Sequence, residues 1–213
     1  MRRALDIIVA GVAGLLFVPI ALVIALAVRW ELGSPVFFRQ RRSGLRGREF
    51  TILKFRTMRA ARHEAETDLD RDTPLGRRLR AASLDELPQL VNVLRGDMSL
   101  IGPRPTLPEQ VVHYDARQRG RLSIRPGITG WAQVNGRNSI SWPERIEFDL
   151  WYIANRSLRV DLKVLWLTVL NVIRPRGITG AGGVNDGFPL ADGGSTPAHA
   201  ASSALASDRG LSR

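Results

Sequence analysis

The sequence predicts a mostly helical α+β protein, a membrane-embedded N-terminal helix followed by a small domain that carries a short β-hairpin. Three observations lead there. Ile7 to Val28 holds no charged residue, and about 20 apolar residues suffice for a helix to cross a bilayer. Two short aromatic and β-branched runs flank a glycine-punctuated basic loop. The remainder is helical in period and ends in a tail of small and polar residues. The expected organisation is a membrane helix over 1–33, a catalytic or binding domain over 34–176 and a flexible tail over 177–213, with 182–213 mostly disordered.

The 213 residues carry a net charge of +11, almost all of it arginine. That surplus calls for an anionic partner: acidic lipid, nucleic acid or a phosphorylated substrate. With no cysteine, disulfides, thiolate metal sites and cysteine nucleophiles are excluded. The three histidines are scattered and do not make a zinc site. Chemistry here has to rest on carboxylates, Lys, Arg, Ser, Thr or Tyr.

The apolar run admits three topologies: a cleaved signal peptide, a spanning helix, and a re-entrant helix that returns on the side it entered. Its length and Asp6 at its mouth weigh against the signal peptide. Arg2 and Arg3 precede the run, and Arg29, Arg39, Arg41, Arg42, Arg46 and Arg48 follow it. Positive charge marks the cytoplasmic side, so charge at both ends frustrates spanning and suits re-entry. Pro19 removes a backbone donor mid-helix and favours a kink there.

Val36–Phe38 and Glu49–Phe55 read as the two strands, with residues 39–48 as a long basic loop. Alternation sets Lys54 and Arg56 on one strand face, where they serve as phosphate ligands or as a wet face. Arg59–Asp72 reads as a polar surface helix. Thr73-Pro74 predicts a capped helix over Leu75–Ala82.

Ser83 then opens the central stretch. Its hydroxyl is the expected cap of a helix, with Glu86 as capping-box partner. Leu87, Leu90, Val91 and Leu94 recur at helical spacing and are expected to face the core. Arg95-Gly96 ends the helix, and Arg104 follows between Pro103 and Pro105. Asp85 and Glu86 thus sit at a helix start. That is ordinary capping chemistry, and also a place where the dipole keeps a carboxylate ionised. Asp97 has a turn role or a site role.

Pro108–Leu122 reads as a polar helix with His113 structural. Arg125 to Gly130 is a turn-rich loop whose glycines let backbone approach a ligand. Gln133, Asn135 and Arg137 are candidate nucleotide or sugar contacts, against a loop that satisfies itself. A helix is expected from Trp142 to Asn155. Leu158–Ile173 is apolar enough for the core, the stronger expectation, or for an interfacial amphipathic position with Trp166 and flanking arginines.

Taken in order, Lys54-Phe-Arg56-Thr-Met58, Asp85-Glu86-Leu-Pro-Gln-Leu90, Asn92 to Pro105 and Arg125-Pro-Gly-Ile-Thr-Gly-Trp-Ala-Gln-Val-Asn135-Gly-Arg137 resemble the bacterial sugar transferases, the monotopic phosphoglycosyl transferases. The N-terminal Arg-Arg-x-x-Asp6 and Gly33-Ser-Pro-Val-x-Phe-x-Gln-x-Arg42 are similar to that family too. The resemblance covers about residues 2 to 175. It implies transfer of a sugar phosphate from a nucleotide diphosphate sugar, UDP-linked in expectation, to polyprenyl (undecaprenyl) phosphate with Mg2+. By that resemblance Asp85 is the nucleophile and Glu86 its partner, both also metal ligands. Lys54, Arg56, Arg104, Arg125, Asn135 and Arg137 are substrate-binding candidates. The resemblance also implies re-entry of the first helix, a catalytic domain at the cytoplasmic face of a bacterial inner membrane, and a role in exopolysaccharide, O-antigen or glycoprotein glycan synthesis. A homo-oligomer is compatible with it. The competing reading is a membrane-anchored basic protein gripping acidic lipid or nucleic acid. It leaves the acidic pair ahead of Pro-Arg-Pro unexplained, and no nucleic-acid motif is present.

Overall fold

In the computed structural model the described residues are 2–63, 66–67, 70–136 and 140–173. Helix α1 runs Arg2–Glu31 with Pro19 inside a single helical element, about 45 Å of helix at ~1.5 Å per residue. It is long and apolar enough to cross a membrane. Most of its side chains are exposed, Leu15 and Leu16 among them, and only Ala10, Ile24 and Val28 are buried.

Both ends of α1 are fastened to the same domain. Near its start, Asp6 accepts hydrogen bonds from Ser99 Oγ at 2.7 Å and Leu100 N at 3.1 Å. Arg3 donates to the carbonyls of Val93 and Leu94 at 2.7 and 3.0 Å. Ala10 packs with Ile52, Val93 and Met98. Near its end, Ile24 and Val28 pack with Phe55 and Leu79.

Strands β1 (Phe37–Ser43) and β2 (Glu49–Phe55) form the hairpin, antiparallel with Phe37 opposite Phe55. The basic run is therefore strand rather than loop. Arg39, Gln40, Arg41 and Arg42 pair with residues of β2, and only residues 44–48 turn the chain. The polar helix expected over 59–72 is absent from the described residues there. The chain is held as a loop by a Met58–Asp72 bridge and by Arg59, which bonds Glu66 and the Asp70 carbonyl. Side-chain bonds to neighbouring backbone compete with helix in such polar runs.

Helix α2 (Pro74–Ala81) starts as expected, with Thr73 Oγ1 accepting from Gly76 N at 3.0 Å. Helix α3 (Gln89–Arg95) ends at Gly96, which takes φ +93, the left-handed conformation that glycine adopts without strain. Its buried face is offset from the leucine pattern. Gln89, Asn92 and Val93 are buried, while Val91 and Leu94 are exposed. The cause is Asn92. Its Oδ1 accepts from Leu53 N at 3.1 Å and its Nδ2 donates to Thr51 O at 2.8 Å, so one amide side chain closes the open edge of β2 and turns the helix toward it.

Strand β3 (Ser99–Ile101) pairs in parallel with β4 (Gly127–Thr129). The glycines of this region approach backbone rather than a ligand. A Cβ on Gly127 would lie 2.1 Å from Gly102 N, and one on Gly130 would lie 2.1 Å from Gly102 O. The expected helix over 108–122 is only α4 (Pro108–Val111), followed by turns and a 3₁₀ segment over Gln118–Ser123.

Helices α5 (Trp131–Asn135) and α6 (Trp142–Ala154) meet through stacked Trp131 and Trp151, centroids 4.7 Å apart. Ser141 and Glu144 form the capping box of α6. Helix α7 (Leu158–Ile173) is not core. Of its residues Val164 is buried, while Leu158, Leu162, Trp166, Val169 and Ile173 are all more than half exposed. An apolar face left exposed among the described residues fits an interfacial position. The tail over 177–213 and its expected disorder lie outside the described residues.

Candidate active site

Asp85 and Glu86 do not open an α-helix. They lie in a 3₁₀ turn, Leu84–Glu86, entered through Ser83 in a left-handed conformation, φ 56, with no side-chain cap bond. The α-helix starts only after Pro88. The reason is electrostatic. Glu86 Oε1 turns away from Ser83 to accept from Lys54 Nζ at 2.6 Å and from both terminal nitrogens of Arg104 at 3.3 Å. Burial opposes the Glu86 charge, but Lys54 and Arg104 outweigh it and hold the carboxyl down at about 2. Glu86 is an anion at any working pH.

Asp85 is the opposite case. It is 7 % exposed, and among the described residues its carboxylate accepts no hydrogen bond in the structure. Burial pushes its carboxyl above the ordinary value, and the Glu86 charge adds to this, against Lys54, Arg104 and Arg80. Its ionisation therefore rests on nearby cations and not on a helix terminus.

Arg104 is presented by a rigid loop. Prolines on either side offer no N–H, and all three carbonyls of Pro103-Arg104-Pro105 are engaged. Gly127 N donates to Pro103 O at 2.9 Å, Arg121 to Arg104 O at 3.4 Å, and Arg42 to Pro105 O at 3.2 Å. Arg42 is half-buried, and desolvation first, then repulsion from Arg104, brings it down to about 10. It stays cationic and adds to the positive potential behind the loop.

These groups face a cavity of about 310 Å3. Its charged lining is Asp85, Glu86, Lys54, Arg104, Arg80 and Arg145. The rest of the lining includes Ala13 and Phe17 of the apolar helix α1, Thr168 of α7 and the segment carrying Thr129 and Gln133. A pocket lined by cations and by an apolar helix can hold a phosphate beside an apolar chain.

Sequence reading singles out neither Arg80 nor Arg145. Arg80 bonds Asp72 and the Thr57 carbonyl. Arg145 lies over the Trp142 ring at 4.7 Å. Burial, then Arg104 and Arg121, bring it down to about 10, so it too stays charged at neutral pH. Neither position carries a local signal; only the surplus of arginine hints at more site cations than the motifs name.

Three expected contacts go elsewhere. Arg56 donates to Gly33 O at 2.8 Å and Ser34 O at 3.2 Å, and also bonds Leu32 O. It ties the exit of α1 to β2. Arg125 Nε donates to Gly96 O at 2.8 Å, so that together with Arg3 it caps the C-terminal carbonyls of α3. Asn135 Nδ2 bonds Trp131 O at 2.8 Å within its own helix. Arg137 lies outside the described residues. Asp97 accepts from Asn92 Nδ2 at 3.3 Å, a turn role. Arg125→Ala is therefore expected to lower the thermal midpoint by a few degrees, roughly the effect of one lost hydrogen bond from a charged donor. The donor KM should move less than about twofold; a tenfold rise in steady-state assays would put Arg125 back among the ligands.

Asp85 and Glu86 fit a magnesium ion. Two adjacent carboxylates, one with both oxygens unbonded and the other bonded only through Oε1, are the donor set magnesium takes when substrate phosphates and water complete its shell. No cluster of three or more His, Asp or Glu occurs among the described residues, so a dedicated all-protein cage is not what this site offers.

Residues 1–175 match the family model described as bacterial sugar transferase. The chain is 52 % identical over 154 residues to the uncharacterized sugar transferase EpsL of Bacillus subtilis, covering 71 % of this chain and 76 % of that one. It is 45 % identical over 185 residues to the UDP-glucose:undecaprenyl-phosphate glucose-1-phosphate transferase of Caulobacter vibrioides, covering 81 % and 69 %. The exopolysaccharide production protein ExoY of Rhizobium meliloti is 38 % identical over 196 residues, covering 83 % and 87 %.

Proposed function

The chain belongs to the bacterial sugar transferase family, and on that premise we propose that it moves a sugar 1-phosphate from a UDP-sugar to undecaprenyl phosphate through a covalent intermediate on Asp85. The observation that carries this reading is the Asp85 carboxylate, buried and without a hydrogen bond among the described residues, in a pocket lined by Lys54, Arg80, Arg104 and Arg145 together with Ala13 and Phe17 of the apolar helix α1.

The chemistry balances as two displacements. An Asp85 oxygen attacks the phosphorus that bears the sugar. The bond from that phosphorus to the bridging oxygen breaks, and the electron pair leaves with the nucleoside monophosphate. An oxygen of the lipid phosphate then attacks the same phosphorus and expels the Asp85 carboxylate, restoring it. Lys54, Arg104, Arg80 and Arg145 offset the phosphate charge during both steps, and Glu86 fixes the first two of these cations. Magnesium, held by Asp85 and Glu86, would supply further neutralisation of phosphate charge.

The lipid acceptor enters from the α1 side in this reading. Both ends of α1 are bonded to one domain, Asp6 to β3 and the residues after α1 to Arg56, which supports a re-entrant helix with both ends on one side. Single cysteines at positions 3 and 45, in a chain with none of its own, are expected to react with an impermeant reagent from the same side of sealed vesicles. Labelling from opposite sides would reject re-entry.

The activity is tested with the chain in lipid, magnesium, undecaprenyl phosphate and a panel of nucleotide sugars, reading release of nucleoside monophosphate. Release that needs both the lipid acceptor and a particular donor is expected; no release with any donor would sink the reading.

A further inference from the structure

Gln133 differs from the other pocket side chains. Among the described residues that line the cavity, it is the one whose side-chain nitrogen and oxygen are both closed off from solvent and both without a hydrogen-bond partner. Leaving one such group unmet is costly, and here two are unmet. The amide oxygen lies against the tight backbone crossing of Gly130 and Gly102, where a Cβ at position 130 would sit 2.1 Å from Gly102 O and 2.6 Å from Gln133 Oε1. The neighbouring hydroxyls do not serve it, since Thr129 and Thr168 bond each other at 2.7 Å.

The chemistry of the missing partner follows from the amide. It offers one acceptor and a pair of donors. An ionised phosphate only accepts, and Lys54 and Arg104, held at Glu86, are the cations that suit it. A hydroxyl both donates and accepts and so meets both needs of the amide. The cavity, about 310 Å3, falls within the range of small-molecule sites. The geometry points to Gln133 as the residue that reads a hydroxyl of the transferred sugar, a specificity contact; this rests on the phosphoglycosyl reading above.

The test measures coupling between the amide and one hydroxyl. The full chain in lipid nanodiscs with magnesium, carrying Asp85→Asn so that donor is not consumed, is titrated calorimetrically. The probes are UDP-glucose, its monodeoxy analogues and a glucose donor with a different base. Removing one particular hydroxyl is expected to weaken binding about tenfold. With Gln133→Leu added, the same removal should change binding less than about twofold, because the partner is already gone. Gln133→Met, of similar length, repeats the measurement should the leucine variant fail to fold. Equal weakening of all donors would mean a structural role and overturns the inference. Coupling to the base swap in place of a sugar hydroxyl overturns it as well. Nucleoside monophosphate release by the chain with Asp85 intact is measured alongside. Release without coupling sinks the Gln133 inference alone, and coupling without release sinks the phosphoglycosyl reading while the hydroxyl contact stands.

Discussion

An Asp85→Asn chain is expected to lose nucleoside monophosphate release by about 10³-fold or more, and at the same time to melt at a higher temperature near neutral pH. The first effect follows from the role. Asn keeps the shape of the side chain but cannot become an anion, and removal of a nucleophile costs rates of this order or larger. The second follows from burial. Asp85 has its carboxyl raised in the folded chain by desolvation and by Glu86, so the folded state binds that proton more tightly than the unfolded one. The stabilising contribution is complete below the ordinary carboxylate value, about 3.9, and disappears as pH rises through the raised value. At neutral pH the ionised carboxylate is a burden on stability that Asn does not carry. The gap in thermal midpoint between the two chains should therefore shrink as pH falls. Activity of the unsubstituted chain should fall along the same acid limb. Glu86, held down at about 2, contributes no limb there. Full turnover by Asp85→Asn would remove Asp85 as nucleophile. A drop in midpoint at neutral pH would show that the nearby cations outweigh burial in holding its charge.

What was legible in the sequence is what is written locally. Thr73-Pro74 and Arg95-Gly96 each announce a helix end by short-range hydrogen bonding or backbone conformation, and each end falls where it was expected, as does the start of α6 at Trp142. The company of Glu86 was legible too, because Lys54 and Arg104 stand in long motifs in the expected order. Pairing that depends on distant chain was not. Strands β3 and β4 are three residues each and join through Gly102 and Gly127, so no period of alternation exists to see. Arg56 and Arg125 bind backbone carbonyls, which have no sequence signature, and both read as free cations. Leu158–Ile173 reads as core because core and lipid select the same apolar residues; only the exposure of Leu162 and Trp166 separates the two. The capping reading of Ser83 failed for a related reason. A capping box competes with any stronger partner for the Glu, and two cations out of sight of the local pattern win.

The largest structural effect is expected at Asp149, which touches no substrate. Ile146, Asp149 and Tyr152 share the buried face of α6, and Asp149 there accepts from Arg121 Nε at 2.9 Å and Nη2 at 2.6 Å. The pair is almost wholly enclosed, with side chains 2 % and 1 % exposed. Burial works against the Arg121 charge, and Asp149 with Tyr114 outweighs it. Asp149→Ala strips the pair to a lone buried cation, a loss of about 3–5 kcal/mol. For a chain of this size that is a fall of roughly 6–20 °C in thermal midpoint. Arg121→Met with Asp149→Leu removes both charges and should recover most of that stability, since apolar replacement of a buried pair is often neutral or better. It should not recover the enzyme. Arg121 also donates to the carbonyl of Arg104, and a loop released from that bond presents its guanidinium less well to phosphate. A small misplacement of a positioning group costs up to about 10²-fold, so kcat/KM in the double variant is expected to stay down about 10- to 100-fold while its midpoint returns. If kcat/KM returns with the midpoint, Arg121 and Asp149 serve the fold alone, and Arg104 is held by Arg42 and Gly127 without them.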